Sequence, residues 1–205
     1  MQVKDKVFIL KTTRYGESDL ILNCLTPSGA RVSLFARSAL KSKKRFGGGV
    51  LEPTHYVHVL YEDKGNVRSD NALHTLKEAT LIQGFNGLRT DYSRIEAALY
   101  FLRLVADVVK EGDLDSKDLF NLLGNTLRAA ETSMSLDKLR THFEVRFLAN
   151  QGVLPIEEEE ERLLVRAPIA EHEALGLSET DWSLVRARVK RVLAEYLEHS
   201  RYVNT

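Results

Sequence analysis

The 205-residue chain is 43% hydrophobic and 28% charged, the composition of an ordinary folded protein with room for one large domain or two small ones. No stretch approaches the roughly 20 apolar residues of a membrane helix, and the mixed-charge N-terminus lacks the apolar run of a signal peptide, so we expect a cytoplasmic protein. The single cysteine, Cys24, excludes an internal disulfide framework and a multi-cysteine zinc site.

A net charge of zero conceals a strong asymmetry along the chain. Residues 1–50 contain ten Lys or Arg and three Asp or Glu, a balance of +7. The other 19 basic and 26 acidic residues leave residues 51–205 with a balance of −7. This division predicts a basic face for a polyanion and a more acidic body.

The first 80 or so residues predict five short strands, separated by the turn sequences YGES, TPSG and DKGN. The strands are expected at Val7–Thr12, Asp19–Leu25, Arg31–Arg37, His55–Tyr61 and, less regularly, Val67–Leu76. The side of the second strand that carries Leu20 and Leu22 also carries Cys24, which favours a buried cysteine over a nucleophile. Five strands with a break after the third fit a closed barrel of the OB type, and an SH3-like barrel fits nearly as well.

From about residue 92 the apolar residues recur at helical spacing. They predict four buried faces: Ile95, Leu99, Leu102, Ala106 and Val109; Leu119, Leu122, Leu123 and Leu127; Leu139, Phe143 and Phe147, after a cap at Ser135; and Trp182, Val185, Val189, Leu193 and Tyr196. The acidic run Glu157–Glu161 is predicted to be a solvated segment. The chain is therefore predicted to be an α+β protein of two domains, a five-stranded OB-fold β-barrel at residues 1–80 and an α-helical domain at residues 81–205.

The segment from Arg31 to Arg45 carries the clearest functional signal. Its strand alternation points Val32, Leu34 and Ala36 toward a core and leaves Arg31, Phe35 and Arg37 on the opposite face. Four cations follow within five residues, at positions 41, 43, 44 and 45. Cations beside an outward aromatic suit a nucleic acid, because the cations meet phosphate and the ring stacks on a base. The alternative is an edge strand kept soluble by charge and followed by a flexible loop.

No sequence motif of an enzyme is present. The run Gly47–Gly49 lacks the following Lys and Ser or Thr of a phosphate loop, and favours a sharp backbone bend instead. His55 and His58 lie three residues apart on a predicted strand and so point to opposite faces, which is poor geometry for a metal. We therefore predict a binding protein with no catalytic residue, no metal and no cofactor.

The segment RYGESDLILNCLTPSGARVSLFARSALKSKKRFGGGVLEP resembles the amino-terminal region of the RecO family of bacterial DNA repair proteins. The resemblance is carried in order by Arg14, Tyr15, Glu17, Asp19 and Ile21, by Leu25, Thr26, Gly29 and Arg31, by Ala36 and Arg37, and by Phe46, Gly48, Leu51, Glu52 and Pro53. Farther along, FEVRFLANQGVLP at residues 143–155 resembles a later family segment. Two features depart from the family: Ser38 stands where glycine is usual, and the region of about 151–168 lacks the four cysteines of a zinc module, which indicates a zinc-free member.

The resemblance implies a cytoplasmic, nucleoid-associated recombination mediator that acts in recombinational gap repair. Its OB-fold domain would bind single-stranded DNA and anneal complementary strands. With RecR, it would help to load RecA onto DNA coated by the single-stranded-DNA-binding protein SSB, whose C-terminal tail would be a further partner. The last predicted helix carries cations that could contact that tail or could equally form the solvent face of the helix. They are Arg186, Arg188, Lys190 and Arg191.

Eight residues are predicted to contact DNA: Arg14, Arg31, Phe35, Arg37, Lys41, Lys43, Lys44 and Arg45. Two aromatic positions have structural alternatives, since Phe35 could lie beneath a neighbouring helix and Tyr15 could simply pack at its turn. Two other functions fit the same residues. An RNA-binding OB module would depend on 2′-hydroxyl contacts, and a protein–protein adaptor without DNA binding would use the basic tract for an acidic partner.

Overall fold

The computed structural model describes residues 1–42, 44–63, 72–109 and 117–203, with side chains as far as residue 199. Its strands are β1 Gln2–Tyr15, β2 Asp19–Leu25, β3 Arg31–Ala36, β4 Tyr56–Glu62 and β5 Leu73–Gln83. Its α-helices are α1 Tyr92–Val108, α2 Lys117–Ala130, α3 Leu136–Asn150, α4 Glu159–Arg166 and α5 Glu179–Val203. Short 3-10 helices lie at Ala39–Lys41, Asn86–Thr90 and Ile169–Glu171.

The five strands form a closed barrel in the order β1-β2-β3-β5-β4. All neighbours are antiparallel except β3 and β5, which pair in parallel and complete the ring. The long β1 belongs to two pairings, because residues 2–8 face β4 and residues 8–15 face β2. The predicted OB-type barrel is confirmed.

Strand alternation fills the inside of this barrel. The strands β2, β3 and β4 bury every second side chain, and the core includes Cys24 as predicted. Burial raises the pKa of the Cys24 thiol, which keeps it neutral. Phe46 and Leu51 enter the same core from the segment between β3 and β4.

The middle of β1 is buried on both faces, over Val7–Leu10. Val7 and Ile9 belong to the barrel core, whereas Phe8 lies outside it against other aromatic rings. The Phe8 ring centroid is 4.7 Å from that of Tyr56 and 4.8 Å from that of Phe120 in α2. The first turn of α2 therefore covers this part of the outer wall.

The register between β1 and β2 shifts at Leu10. Ile9 lies opposite Cys24, and Lys11 lies opposite Asn23, so one extra β1 residue fits between these two pairs as in a β-bulge. Ile9 faces the core with Cys24, and Lys11 faces outward with Asn23. The bulge therefore reverses which β1 side chains point outward.

The structure corrects the bounds of the fifth strand and the buried face of α1. The fifth strand is Leu73–Gln83, displaced toward the C-terminus from the predicted Val67–Leu76, of which residues 67–71 lie outside the described part. Its pairing with β4 continues to Gln83 through two register shifts, which break the simple alternation of its side chains. In α1, Leu99 is 45% exposed, because the buried side includes Ala98, Phe101 and Val105 rather than Leu99.

The other predicted helix faces are confirmed. The predicted apolar residues of α2 and α3 are buried, as are those of α5 except for the partly exposed Tyr196. The Phe143 and Phe147 rings stack with centroids 5.9 Å apart on α3, which packs against α4 and α5. Residue 135 lies at the N-cap of α3 as predicted, although the serine makes no side-chain capping bond there.

The acidic run is only partly solvated, so the prediction for Glu157–Glu161 is wrong at its last residue. Glu161 lies in the first turn of α4 and is only 1% exposed. Its Oε1 is 3.2 Å from Nη1 of Arg188, an ion pair without hydrogen-bond alignment. Nη2 of Arg188 also donates to Oε2 of Glu157 at 3.0 Å and to the Pro155 carbonyl at 3.0 Å. Arg188 thus binds α5 to the segment that leads into α4.

The chain forms two compact units, residues 1–86 with 102–120 and residues 87–101 with 121–205. The barrel belongs to the first unit, and α3, α4 and α5 belong to the second. The domain boundary at residue 80 stays a prediction. Within the ranges given above, no helix is both long enough and apolar enough to cross a membrane.

We expect Arg188→Ala to lower the free energy of unfolding of the second unit by about 2 kcal/mol, because Glu161 would keep a buried charge without its cation. Urea unfolding can be followed by the fluorescence of Trp182, the one tryptophan of the chain, which is buried in α5. Glu161→Gln should recover part of the loss in the Arg188→Ala background. Lys190→Ala, at an exposed position of the same helix, is the control. An unchanged urea midpoint for Arg188→Ala would show that the ion pair contributes nothing.

We expect the second unit to lose stability in acid because of the buried His142. Burial lowers the pKa of His142 from 6.5 to about 4, against the opposing effect of the 2.7 Å bond between Nε2 and the Leu164 carbonyl. Because the unfolded chain takes up this proton first, the stability contribution is complete above pH 6.5 and is lost as the pH falls toward 4. The full loss is about 3 kcal/mol.

The measurement is urea unfolding of the second unit, through Trp182, at a series of pH values. His142→Gln keeps a donor for Leu164 and should flatten this part of the pH profile. His199→Gln, at an exposed position of α5, should leave the profile unchanged. Equal profiles for wild type and His142→Gln would contradict the assignment.

Candidate nucleic-acid interface

The outer face of β2 and β3 carries two of the predicted contacts. Because Val32, Leu34 and Ala36 fill the barrel, Arg31 and Phe35 point outward from β3. Across the strand pair, Phe35 lies opposite Ile21 and Arg31 lies opposite Leu25. Both Arg31 and Phe35 are partly exposed, and Arg37 follows in an exposed position at the end of β3.

Tyr15 joins this surface from β1. It lies opposite Asp19 at the end of the β1–β2 pairing, and its ring centroid is 5.9 Å from that of Phe35 with an interplanar angle of 85°. Tyr15 is 58% exposed. Its ring contacts that of Phe35, yet more than half of its surface remains accessible to a ligand.

Arg14 lies on the other face of β1. The register places it opposite Leu20, whose side chain belongs to the barrel core, so Arg14 leaves the strand on the side away from Tyr15. It is nevertheless exposed, because it lies near the end of the strand. The structure therefore does not bring Arg14 onto the face that carries Phe35.

The turn after β3 is tied to the turn between β1 and β2. Ser38 has a left-handed backbone with φ of +54°, and its N–H donates to Oδ1 of Asp19 at 2.7 Å. The N–H of Leu40 donates to the carbonyl of Ser18 at 3.0 Å. A left-handed position favours glycine, which gives a physical reason for the family preference at residue 38. These bonds present Leu40 and Lys41 at the surface, both exposed.

Residues 38–46 are called the basic loop below, and Arg45 holds its second end. Nη2 of Arg45 donates to the Arg37 carbonyl at 2.7 Å, and Nε donates to Oγ of Ser42 at 3.4 Å. The guanidinium lies 4.9 Å from the ring centroid of Phe46, which is buried in the barrel core. Arg45 is exposed, yet its Nη2 and Nε donors are used by the Arg37 carbonyl just before the loop and by Ser42 within it.

The run Gly47–Gly49 lets the chain turn away after this anchor. Gly47 and Gly49 have positive φ values of +35° and +77°. A side chain at either position would be strained in these conformations. The expected backbone bend is confirmed.

The eight predicted residues therefore divide into groups. Five lie exposed or partly exposed on β3, just after its end or on the basic loop, at Arg31, Phe35, Arg37, Lys41 and Lys44. Arg45 belongs to the same loop but acts in its internal bonding, Arg14 lies on the opposite face of β1, and Lys43 lies outside the described residues. Whether any of them contacts DNA stays a prediction.

The sequence analysis did not predict Lys11 on this face, and it did not decide whether Tyr15 contacts DNA or packs at its turn. Lys11 is exposed and lies opposite the outward Asn23. Strict alternation would place Lys11 on the same side as Val7 and Ile9, which is the core side. The bulge at Leu10 reverses that assignment, and a bulge has no clear signature in this stretch of sequence.

The described residues contain no group of three or more His, Cys, Asp or Glu side chains that could hold a metal ion. His55 is buried with Nδ1 3.0 Å from the Val50 carbonyl, whereas His58 is exposed on β4. Residues 151–168 contain neither cysteine nor histidine, so they lack the ligands that structural zinc takes. The zinc module of the resembled family does not fit this chain.

The closed five-stranded barrel with a charged and aromatic outer face is an OB-fold domain, and it lies within the first unit. Residues 1–85 match the family model described as Recombination protein O N terminal. Residues 1–85 therefore belong to the RecO amino-terminal domain family.

Relatives with the name DNA repair protein RecO extend the similarity beyond the barrel. The chain is 36% identical over 148 residues to that of Desulfosudis oleivorans, which covers 72% of this chain and 55% of the relative. It is 33% identical over 154 residues to that of Anaeromyxobacter dehalogenans, covering 75% and 58%. It is 29% identical over 156 residues to that of Alkaliphilus metalliredigens, covering 76% and 60%. The matched regions therefore span between 55% and 60% of the length of these relatives.

We expect Arg45→Ala to loosen the basic loop. Loss of the bond to the Arg37 carbonyl, at roughly 1 kcal/mol, would raise the population of the open loop about fivefold. Cleavage by a lysine-specific protease within the loop should accelerate by the same factor. Arg37→Ala removes a neighbouring cation but keeps the accepting carbonyl, so it should cleave at the wild-type rate. Equal rates for wild type and Arg45→Ala would remove the anchoring role.

Proposed function

We propose that the chain is a DNA repair and recombination protein that binds single-stranded DNA on the outer wall formed by β2, β3 and the basic loop. Similarity to the RecO family supports the general role. The observation that carries the binding site is the juxtaposition of an outward Phe35 with the exposed cations Arg37, Lys41 and Lys44.

The chemistry of this wall favours binding that tolerates many sequences. Cations on an exposed loop attract phosphates of any sequence and release counterions, so the affinity falls as salt rises. An aromatic face accepts any base by stacking, which adds affinity without a hydrogen-bond code. Both terms suit a protein that acts wherever a strand is exposed.

Annealing of complementary strands is the activity that we infer for this binding mode. Base pairing supplies the driving force, so the protein has to neutralise phosphate repulsion and keep two strands close. The proposal assigns no catalytic residue and no cofactor to this process. The excess of basic residues in the first 50 positions, on a chain whose remaining residues are acidic overall, is consistent with that role.

The finer assignment follows from the family resemblance. It makes the protein a mediator that works with RecR and helps to load RecA onto DNA covered by SSB, with the C-terminal tail of SSB as a partner. Among the cations considered for that tail, Arg188 is engaged with Glu157 and Glu161, whereas Arg186, Lys190 and Arg191 are exposed on α5. We assign no residue to the SSB contact.

We expect Lys41→Ala combined with Lys44→Ala to weaken binding to an oligo-dT strand and to reduce its salt dependence. The slope of log affinity against log salt should become shallower by about 0.7 for each phosphate that the double variant leaves without a cation. Lys4→Ala combined with Lys6→Ala removes the same charge from exposed positions of β1 that pair with β4, and should have a smaller effect. Fluorescence anisotropy across a salt series measures both quantities.

The outcomes separate the proposal from its rivals. Equal salt slopes for the two double variants would move the phosphate contacts away from the basic loop. Tighter binding to an oligo-U RNA strand at the same salt would favour the RNA-binding module. If the wild type bound neither strand at modest salt, the adaptor function would replace DNA binding.

A further inference from the structure

We propose that Tyr15 and Phe35 form a seat for one unpaired base, and that this seat makes the site selective for single strands. The inference rests on the proposed function and deepens it, because it names the part of the strand that the aromatic pair would bind. Tyr15 would be the residue that presents the stacking face.

The ring geometry leaves a stacking face free. In an edge-to-face pair, one ring contributes only its edge and the other contributes one face, so each ring retains at least one face outside the pair. The 85° angle and the 5.9 Å centroid separation of Tyr15 and Phe35 are such an arrangement. With Tyr15 58% exposed and Phe35 only partly so, Tyr15 has the more accessible ring.

The backbone that carries the Tyr15 ring is held in place before any ligand binds. Tyr15 is the last residue of β1 and is paired with Asp19 of β2. Asp19 in turn accepts the Ser38 N–H, and Ser18 of the same turn accepts the Leu40 N–H. Strand pairing and two bonds from the basic loop therefore fix the turn beside the ring. A backbone that is already ordered loses little conformational entropy when a base enters.

The charges near Tyr15 suit a base better than a phosphate. The turn after Tyr15 carries the carboxylates of Glu17 and Asp19. Their two negative charges equal the two positive charges of Arg14 and Arg37, so the net charge of these four residues is zero. The basic loop, by contrast, contains no acidic residue between positions 38 and 46. A strand that crosses both regions would thus place phosphates on the loop and a neutral base at Tyr15.

A seat of this kind distinguishes single strands from duplexes. In a duplex each base is covered on both faces by its neighbours and is paired along its edge, so insertion at Tyr15 would require unstacking and unpairing. A single strand offers an unpaired base at a lower cost. Cations alone would not make this distinction, because both forms carry phosphates.

The test is a thermodynamic cycle between the protein and the bases of its ligand. Wild type and Tyr15→Ala are each titrated with an oligo-dT strand and with a fully abasic strand of the same length, which keeps the phosphates and lacks the bases. We expect wild type to bind oligo-dT about tenfold more tightly than the abasic strand. Tyr15→Ala should lose most of this ratio while it keeps the affinity for the abasic strand.

Three variants make the result specific to the ring. Tyr15→Phe should keep the ratio, because it keeps the stacking face, whereas Tyr15→Leu should lose it although it remains large and apolar. Tyr92→Ala removes a residue that is 78% exposed at the first position of α1, and should leave the ratio unchanged. Far-ultraviolet circular dichroism checks that each variant is folded.

Each outcome has a distinct meaning. A wild type that binds oligo-dT and the abasic strand equally would overturn the base seat but leave phosphate binding intact. A ratio that survives in Tyr15→Ala would overturn the role of Tyr15. A wild type that binds neither strand would overturn the proposed function itself, and the base seat with it.

Discussion

The wall that we assign to nucleic acid depends on one constraint, the register of β1 in a closed barrel. The β1 strand pairs with β4 through its first half and with β2 through its second half. The extra residue at Leu10 accommodates this change of partner and exchanges the two faces of the strand. Tyr15 and Lys11 point outward only because of that exchange, and Arg14 leaves the wall for the same reason.

Much of the fold was readable in the sequence because burial follows periodicity. Alternation in β2 and β3 placed Cys24 in the core and Phe35 outside it, and helical spacing located the buried faces of α2, α3 and α5. In α1, a tertiary contact overrides the local pattern. Leu99 is not buried as predicted because the buried side of α1 includes Phe101, whose ring lies 4.6 Å from that of Phe143, and a contact between residues so far apart in sequence leaves no trace in spacing.

The acidic run shows a second limit of sequence reasoning. Five consecutive glutamates predict solvation, and the exposed Glu157–Glu159 agree with this, but Glu161 is buried against Arg188. The partners lie 27 positions apart, so charge order alone could not pair them. The same limit applies to Arg45 in the candidate site. Its position beside the lysines predicts a DNA contact, whereas in the structure its guanidinium donates to the Arg37 carbonyl.

The anchoring of the basic loop has a consequence for the thermodynamics of association. The loop is bonded to the β1–β2 turn at its start and to the end of β3 near its finish, and the Arg45 carbonyl accepts the Ala79 N–H of β5. The described residues of the loop are therefore already held before a ligand binds, so most of the conformational freedom lost at this site is that of the nucleic-acid strand. The heat-capacity change of complex formation should then reflect unstacking of free bases and burial of apolar surface, with little contribution from ordering of these loop residues.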